Sequence, residues 1–293
     1  GGFNRQTAQD RDGDGYADIA GYRRATIRPR LFWTGEDGAK ALLTAGYLTE
    51  DRVGGTLGNA VLPDGRPYRE TQDTEQFDAG LVGEWPIDSV GRLHLRASAT
   101  SQTARRTYGT TRQDERRSTL FGEASFAGGG EATSWAVGAA IQSDRFLSPQ
   151  FAAFDYHYTV PGVFAQVDQN IGEVVTIAGS ARLDVHNVYG TFLSPRLSVL
   201  YKPEGWTVRG SIGRGFFAPT PFVDEIESAG LARLAPLSGL KAEIADSASI
   251  DIGRSFGRTE VNASVFASRV DNAAMLMPSA NGTGVRLVNN HGQ

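Results

Sequence analysis

The stretch Ser134-Trp135-Ala136-Val137-Gly138-Ala139-Ala140-Ile141-Gln142 decides how the chain is read. In an extended backbone successive side chains point to opposite faces, so Trp135, Val137, Ala139 and Ile141 share one side. Ser134, Ala136, Gly138, Ala140 and Gln142 share the other. One face is apolar and the other is small or polar. The same period recurs downstream, where Val175, Ile177, Ala181, Leu183 and Val185 oppose Thr176, Ser180, Arg182 and Asp184. Upstream, Leu93, Leu95, Ala97 and Ala99 oppose His94, Arg96, Ser98 and Thr100. The core of a β-sandwich does not accept unpaired charges at such positions, whereas the watery lumen of a membrane barrel does.

Extended outward, this period predicts about thirteen strands of roughly ten to thirteen residues, the length that crosses a bilayer at a barrel tilt. Short connections rich in turn residues are expected near 35–38, 86–91, 128–131, 170–173, 203–205 and 256–258. Between them, in strict alternation, lie long ones near 51–73, 103–116, 144–159, 186–193, 216–242 and 272–284. Outer-membrane barrels keep short turns on the periplasmic side and long loops outside, and soluble sandwiches have no reason to do so. Trp33, Tyr47, Trp85, Tyr201 and Trp206 stand in or near the expected strand ends, where interfacial aromatic girdles form. The fold class that follows is all-β: an antiparallel transmembrane β-barrel. A helix-compatible stretch over 223–234 is short enough to belong to a loop.

Composition agrees. Lys+Arg is 29 against 33 Asp+Glu, a net charge of -4, which argues against a nucleic-acid partner. Cysteine is absent, which excludes a disulfide framework and thiolate metal sites. Mean hydropathy is -0.29, and no apolar run approaches the roughly 20 residues of a membrane helix. Barrel strands average to a polar composition, so they remain allowed.

Two neighbouring runs carry a family resemblance. Ser194-Pro195-Arg196-Leu197-Ser198-Val199-Leu200-Tyr201-Lys202-Pro203 is followed by Val208-Arg209-Gly210-Ser211-Ile212-Gly213-Arg214-Gly215-Phe216-Phe217-Ala218-Pro219-Thr220. Together they resemble a signature of TonB-dependent receptor barrels, an SPR-type strand, a short turn, and a strand ending in G-x-G-F-x-x-P. Thr44-Ala45-Gly46-Tyr47 and Glu50-Asp51-Arg52-Val53-Gly54-Gly55-Thr56 look like the early barrel of ferric-siderophore receptors. Gly213 and Gly215 are expected to let their strand leave the ladder at the outer rim, with Pro219 and Pro221 preventing further pairing.

The resemblance implies a barrel of about twenty-two strands closed by an N-terminal plug. Residues 1–293 are then expected to form a single partial barrel domain, with the plug and the C-terminal strands absent. It further implies a receptor in the bacterial outer membrane that imports a ferric siderophore or similar scarce nutrient by energy-coupled transport. Its partners would be an iron chelate, outer-membrane lipid and lipopolysaccharide, and the TonB complex acting through the plug. A passive porin and a soluble β-rich adhesin or carbohydrate-binding module are the alternatives.

No catalytic site is expected, because no Walker loop or dinucleotide fingerprint is present. His94, His157, His186 and His291 form no zinc-binding spacing, and Asp224 and Glu225 are merely adjacent. Arg145, Phe154, Tyr156, His157 and Tyr158 are the candidate contacts to an aromatic, anionic iron chelate. Arg105, Arg106, Arg112, Arg116 and Arg117 crowd another outer loop, suited to an acidic chelate or to lipopolysaccharide phosphates.

No cofactor is required, but one local pattern suits a structural Ca²⁺ in an outer loop. Asp10, Asp12, Asp14 and Asp18 occupy alternate liganding places of an EF-hand-like loop in which Tyr16 offers a backbone carbonyl. Gly21 stands where the closing Glu of such a loop belongs, so any binding should be weak.

Overall fold

The computed structural model describes residues 1–222, 231–279 and 284–290. Its strands are β1 (Gly2–Gln6), β2 (Gly21–Ile27), β3 (Arg30–Thr34), β4 (Lys40–Gly55), β5 (Arg69–Ile87), β6 (Gly91–Tyr108), β7 (Thr111–Gly129), β8 (Thr133–Leu147), β9 (Tyr156–Ile171), β10 (Val175–His186), β11 (Gly190–Tyr201), β12 (Trp206–Phe217), β13 (Glu243–Phe256), β14 (Thr259–Asp271), β15 (Ala274–Pro278) and β16 (Val285–Asn289). Strands β1 to β14 form one 14-stranded sheet in sequence order, with β3 attached to β4 off the main path. Strands β15 and β16 pair separately. Strands β2 and β3 are one expected strand, interrupted at Arg28 and Pro29 because proline offers no N–H to the ladder. Counted as one, they leave thirteen strands in this sheet, but not the expected set, since the expected connections put a strand after 284, where β16 pairs only with β15, and leave β1 out.

All six short connections fall where the sequence places them, at 35–39, 88–90, 130–132, 172–174, 202–205 and 257–258. Two of the long ones need correction. The loop expected at 103–116 is a tight turn at Gly109–Thr110 between strands of 18 and 19 residues. That expected at 186–193 closes over three residues, with His186 paired to Gly190. The β6–β7 hairpin continues as paired strands beyond the length a bilayer needs, whereas β10 and β11, of 12 residues each, do not exceed it. In water a strand can continue with polar residues on both faces, and here Arg106 of β6 pairs with Glu115 of β7 at 2.7 Å. Gly213 and Gly215 also behave differently from expectation. Pairing of β12 with β11 ends at Gly213, opposite Arg196 and beside Pro195, but pairing with β13 runs on to Phe217. Of the helix-compatible stretch, 223–230 lies outside the described residues and Leu231–Arg233 is a single 3-10 turn.

The chain divides into two compact units. The first comprises Gly1–Gly83, Arg96–Gly122 and Gln142–Tyr158, and the second Glu84–Leu95, Glu123–Ile141 and Thr159–Gln293.

In the second unit the register shows what the alternation does. Leu197 pairs with Ile212, Gly210 with Ile250, Val208 with Ile252, and Ile250 with Val265. All of these side chains but the half-buried Val208 stay exposed, Ile212 at 58% and Val265 at 74%. One step along, Ser198 pairs with Ser211 and Ser211 with Ser249, whose hydroxyls bond at 2.9 Å. The sheet thus shows an apolar face outward and a small polar face behind it. A continuous apolar surface of this extent is stable only against lipid or another apolar partner. Trp206, Tyr201 and Phe256 stand at the turn end of their strands, with Arg254 lying 4.6 Å over the Trp206 ring, as a girdle at a membrane interface requires.

The first unit has a small interior by contrast. Phe146 is 1% exposed and Phe154 5%, and the polar Glu50, Thr74, Gln113 and Ser148 are buried with them. Glu50 is held between Arg24 and Arg52.

Candidate functional site

Most of the candidate ligand contacts stand where β7, β8 and β9 meet the 148–155 connection, in the first unit. That connection is clamped to β7. The Asp114 N–H donates to the Gln150 side-chain oxygen at 2.9 Å, the Gln150 amide returns a bond to the Asp114 carboxylate at 3.0 Å, and the Ser148 hydroxyl donates to the Asp114 carbonyl at 2.9 Å. The Ser148 N–H donates to Asp155 at 2.7 Å. The 3-10 turn Ala152–Phe154 then drives the Phe154 ring into the interior.

Below this clamp the two faces of the strands carry different chemistry. On one face Asp144 accepts from Arg117 at 3.0 Å and from the Tyr156 hydroxyl at 3.1 Å, with the Thr119 hydroxyl at 3.4 Å. The Tyr156 ring stacks on Tyr158 at 4.5 Å and lies 5.9 Å from Phe146. The face therefore holds a guanidinium, a carboxylate and two stacked phenols. On the other face the His157 ring nitrogen Nε2 meets the Ser143 hydroxyl at 3.0 Å. Arg116, Leu120, Arg145, Leu147 and His157 line a cleft of about 340 Å³ there.

The five candidate contacts are thus split by strand parity. Tyr156 and Tyr158 stand together, Phe154 is spent on packing, and Arg145 and His157 point the opposite way. The five arginines of the expected basic loop lie instead on the β6–β7 hairpin: Arg106 is paired to Glu115, Arg112 to Asp114 and Arg117 to Asp144. Sequence reasoning missed Asp144 and Arg117 as partners, since the two are 27 positions apart.

The acidic connection between β1 and β2 folds on its own backbone. Asp10 accepts from the N–H of Gly13 at 2.7 Å and of Gly15 at 2.8 Å, Asp14 from that of Tyr16 at 2.7 Å, and Asp18 from that of Arg11 at 2.7 Å. Gly13 and Gly15 adopt φ of 83° and 82°, which L side chains rarely take. The bond from Gly13, then that from Gly15, hold the Asp10 carboxyl below its ordinary value. Tyr16 pairs with Thr56, and burial raises its phenol. Ligand oxygens of Asp10, Asp12 and Asp18 lie within 4.8 Å of one another, while Asp14 stands outside this group. Of the other residues considered from sequence, Asp224, Glu225 and His291 lie outside the described residues.

An antiparallel sheet with an exposed apolar face, a polar face of paired charges and a terminal aromatic girdle is the wall of an outer-membrane β-barrel. The chain belongs to the TonB-dependent receptor family, whose profile "TonB dependent receptor-like, beta-barrel" matches residues 2–293, and its place is the bacterial outer membrane. The siderophore receptor PirA from Pseudomonas aeruginosa superposes with a TM-score of 0.71 at 14% identity, over 92% of this chain and 51% of that one. The FrpB iron transporter from Neisseria meningitidis gives 0.68 at 16% identity, over 92% and 48%. A ferric enterobactin receptor mutant from P. aeruginosa, solved in complex with enterobactin, gives 0.70 at 16%, over 98% and 50%. The chain spans about half the length of these receptors. No curated protein sequence matches it.

Proposed function

We propose that this chain is wall and outer rim of a receptor that imports a ferric siderophore by TonB-coupled active transport, the plug through which that energy acts being supplied by the whole protein. The observation that carries the reading is the family match along the whole chain. The likeness to siderophore receptors supports the fold. The Arg117–Asp144–Tyr156–Tyr158 face supports the substrate class, since stacked phenols beside a guanidinium suit an aromatic, anionic iron chelate. The role is transport without covalent chemistry on the ligand.

The test is uptake of radiolabelled iron as a ferric catecholate by iron-starved cells whose only receptor is the protein as its gene encodes it. Uptake that stops with an uncoupler or without TonB supports the reading. Uptake that persists under both makes a passive porin the better account, and none at all removes the substrate assignment.

The connection from 7 to 20 is proposed to take a Ca²⁺ weakly, in the range of about 10⁻⁴–10⁻³ M typical of extracellular modules. Terbium luminescence sensitised through Tyr16 should appear in that range and vanish in Asp12→Asn/Asp18→Asn. Luminescence unchanged by those substitutions would place the ion elsewhere.

A further inference from the structure

We infer that the β10–β11 turn is a pH-sensitive latch: neutral His186 holds the turn closed, the turn holds the chain where it leaves β12, and protonation of His186 releases both. The inference rests on the fold of the second unit and not on which chelate is imported.

His186 ends β10 at the outer rim, opposite Gly190 of β11, and its side chain is buried. Its Nδ1 accepts from the backbone N–H of Val188 at 3.1 Å and from that of Tyr189 at 3.3 Å. Those two amides belong to the turn 187–189, so a side chain answers them where the ladder does not. The Tyr189 ring stands edge-on to the imidazole with centroids 5.0 Å apart, and its hydroxyl donates to the Pro219 carbonyl at 2.9 Å. Pro219 is fully buried, two residues beyond the end of β12. Asn187 ties the same turn to β9, donating to the Thr159 carbonyl at 3.1 Å and accepting from the Thr159 N–H at 3.0 Å. One imidazole nitrogen thus fixes a turn to which both a neighbouring strand and the exit of β12 are fastened.

Protonation reverses the polarity of that nitrogen. An imidazolium carries N–H on both ring nitrogens and accepts from neither, so Nδ1 would face two backbone donors as a donor itself. Around the ring, the charged groups among the described residues are Asp184 and Arg182 on the same face of β10, paired with each other at 2.7 Å. The stretches 159–164 of β9, 190–193 of β11 and 215–222 at the end of β12 bring no charged side chain, and the titratable phenol of Tyr189 is given to Pro219. The closed turn therefore requires the neutral ring. It is complete above about 6.5, where a free imidazole is neutral, and weakens as pH falls below that value.

The experiment is amide hydrogen exchange read by mass spectrometry on the protein as its gene encodes it, in detergent, at pH of about 7.5 and about 5.5, with labelling times scaled to the intrinsic rate at each. Peptides covering 187–190 and 217–222 should lose protection by up to about tenfold at the lower pH, the factor by which proton binding to an opened imidazole titrating near ~6.5 favours opening over that interval. Peptides from the middle of β10 and β11 should not change. His186→Asn keeps an acceptor oxygen near the place of Nδ1 and does not titrate, so its turn should stay protected at both pH values. His186→Gln, with the same amide on a longer stem, is the second variant should that one not fold. In Tyr189→Phe the turn should still respond to acid while the 217–222 peptide is less protected throughout and no longer follows pH. Equal protection of the unsubstituted protein at both pH values overturns the latch, as does an acid loss that survives in the folded His186 variants. A 217–222 peptide that still follows pH in Tyr189→Phe overturns the coupling to β12. Iron uptake enters none of these readouts, so failure here and failure of the import reading are distinguishable.

Discussion

Asp184 and Asp10 are both carboxylates in a chain with little interior, and they are satisfied in opposite ways. Asp184 lies on the polar face of β10, 4% exposed, with Arg182 two residues earlier on the same strand at 2.7 Å. Asp10 lies in a connection and is answered by backbone N–H groups of Gly13 and Gly15. A strand spends its amides on the ladder, so a charge on its face must find a side chain. A turning connection has amides to spare. The location of an acid thus decides whether its partner is a guanidinium or the backbone, and the consequences of losing it differ accordingly.

The largest effect is expected at the strand. Asp184→Ala leaves Arg182 beside the Phe164 ring, 5.8 Å away, without its carboxylate. Breaking a fully buried pair costs about 3–5 kcal/mol, and the partial exposure of Arg182 lowers the expectation to about 2 kcal/mol, read as a drop in unfolding free energy in detergent. A loss below about 0.5 kcal/mol would mean that the pair is as dispensable as a surface one. Gly162 of β9, opposite Asp184 in register, tests the same pair by crowding. A Cβ at 162 would meet the Asp184 carboxylate and stand 2.8 Å from Arg182 Nη2. Gly162→Ala should displace the pair at a cost of about 1–2 kcal/mol, and much less when Asp184→Ala is already present.

Asp144 falls between the two extremes, since it takes both a guanidinium and a phenol. Tyr156→Phe removes one of its bonds and keeps the stacking on Tyr158. The expected cost is about 1 kcal/mol, together with weaker chelate binding if this face meets the ligand. Unchanged binding in a folded variant would move the ligand contact away from Tyr156.

The same contrast explains what was legible in sequence. Arg182 and Asp184 are two apart on a strand, so their shared face follows from period two alone. The six tight turns were legible because turn residues interrupt that period. The hairpin over 103–116 was not, because pairs such as Arg106 with Glu115 extend strands into water without leaving an apolar period to read. The split of Arg145 and His157 from Tyr156 and Tyr158 was implicit in parity, but grouping them by loop treated consecutive residues as neighbours when strand residues alternate. Asp144 with Arg117 required the strand register, which no local spacing encodes.

The smallest effect belongs to Asp10, and its sign is fixed by the geometry. The bonds from Gly13 and Gly15 favour the charged form and lower the folded pKa below the ordinary value of 3.8. A carboxyl depressed on folding contributes order to its connection that is fully present above the unfolded pKa. That contribution is lost as pH falls through the lower, folded value, so the sensitive window lies below 3.8. Near neutral pH the connection should be indifferent to pH. Amide proton shifts of Gly13 and Gly15, identified by their loss in Asp10→Asn, should titrate together in that acidic window. Titration at or above 3.8 would show that the two amides do not hold the carboxylate. Asp10→Asn should loosen the connection at neutral pH while leaving the sheet's unfolding unchanged, because the connection's own amides, and not the ladder, are what Asp10 satisfies.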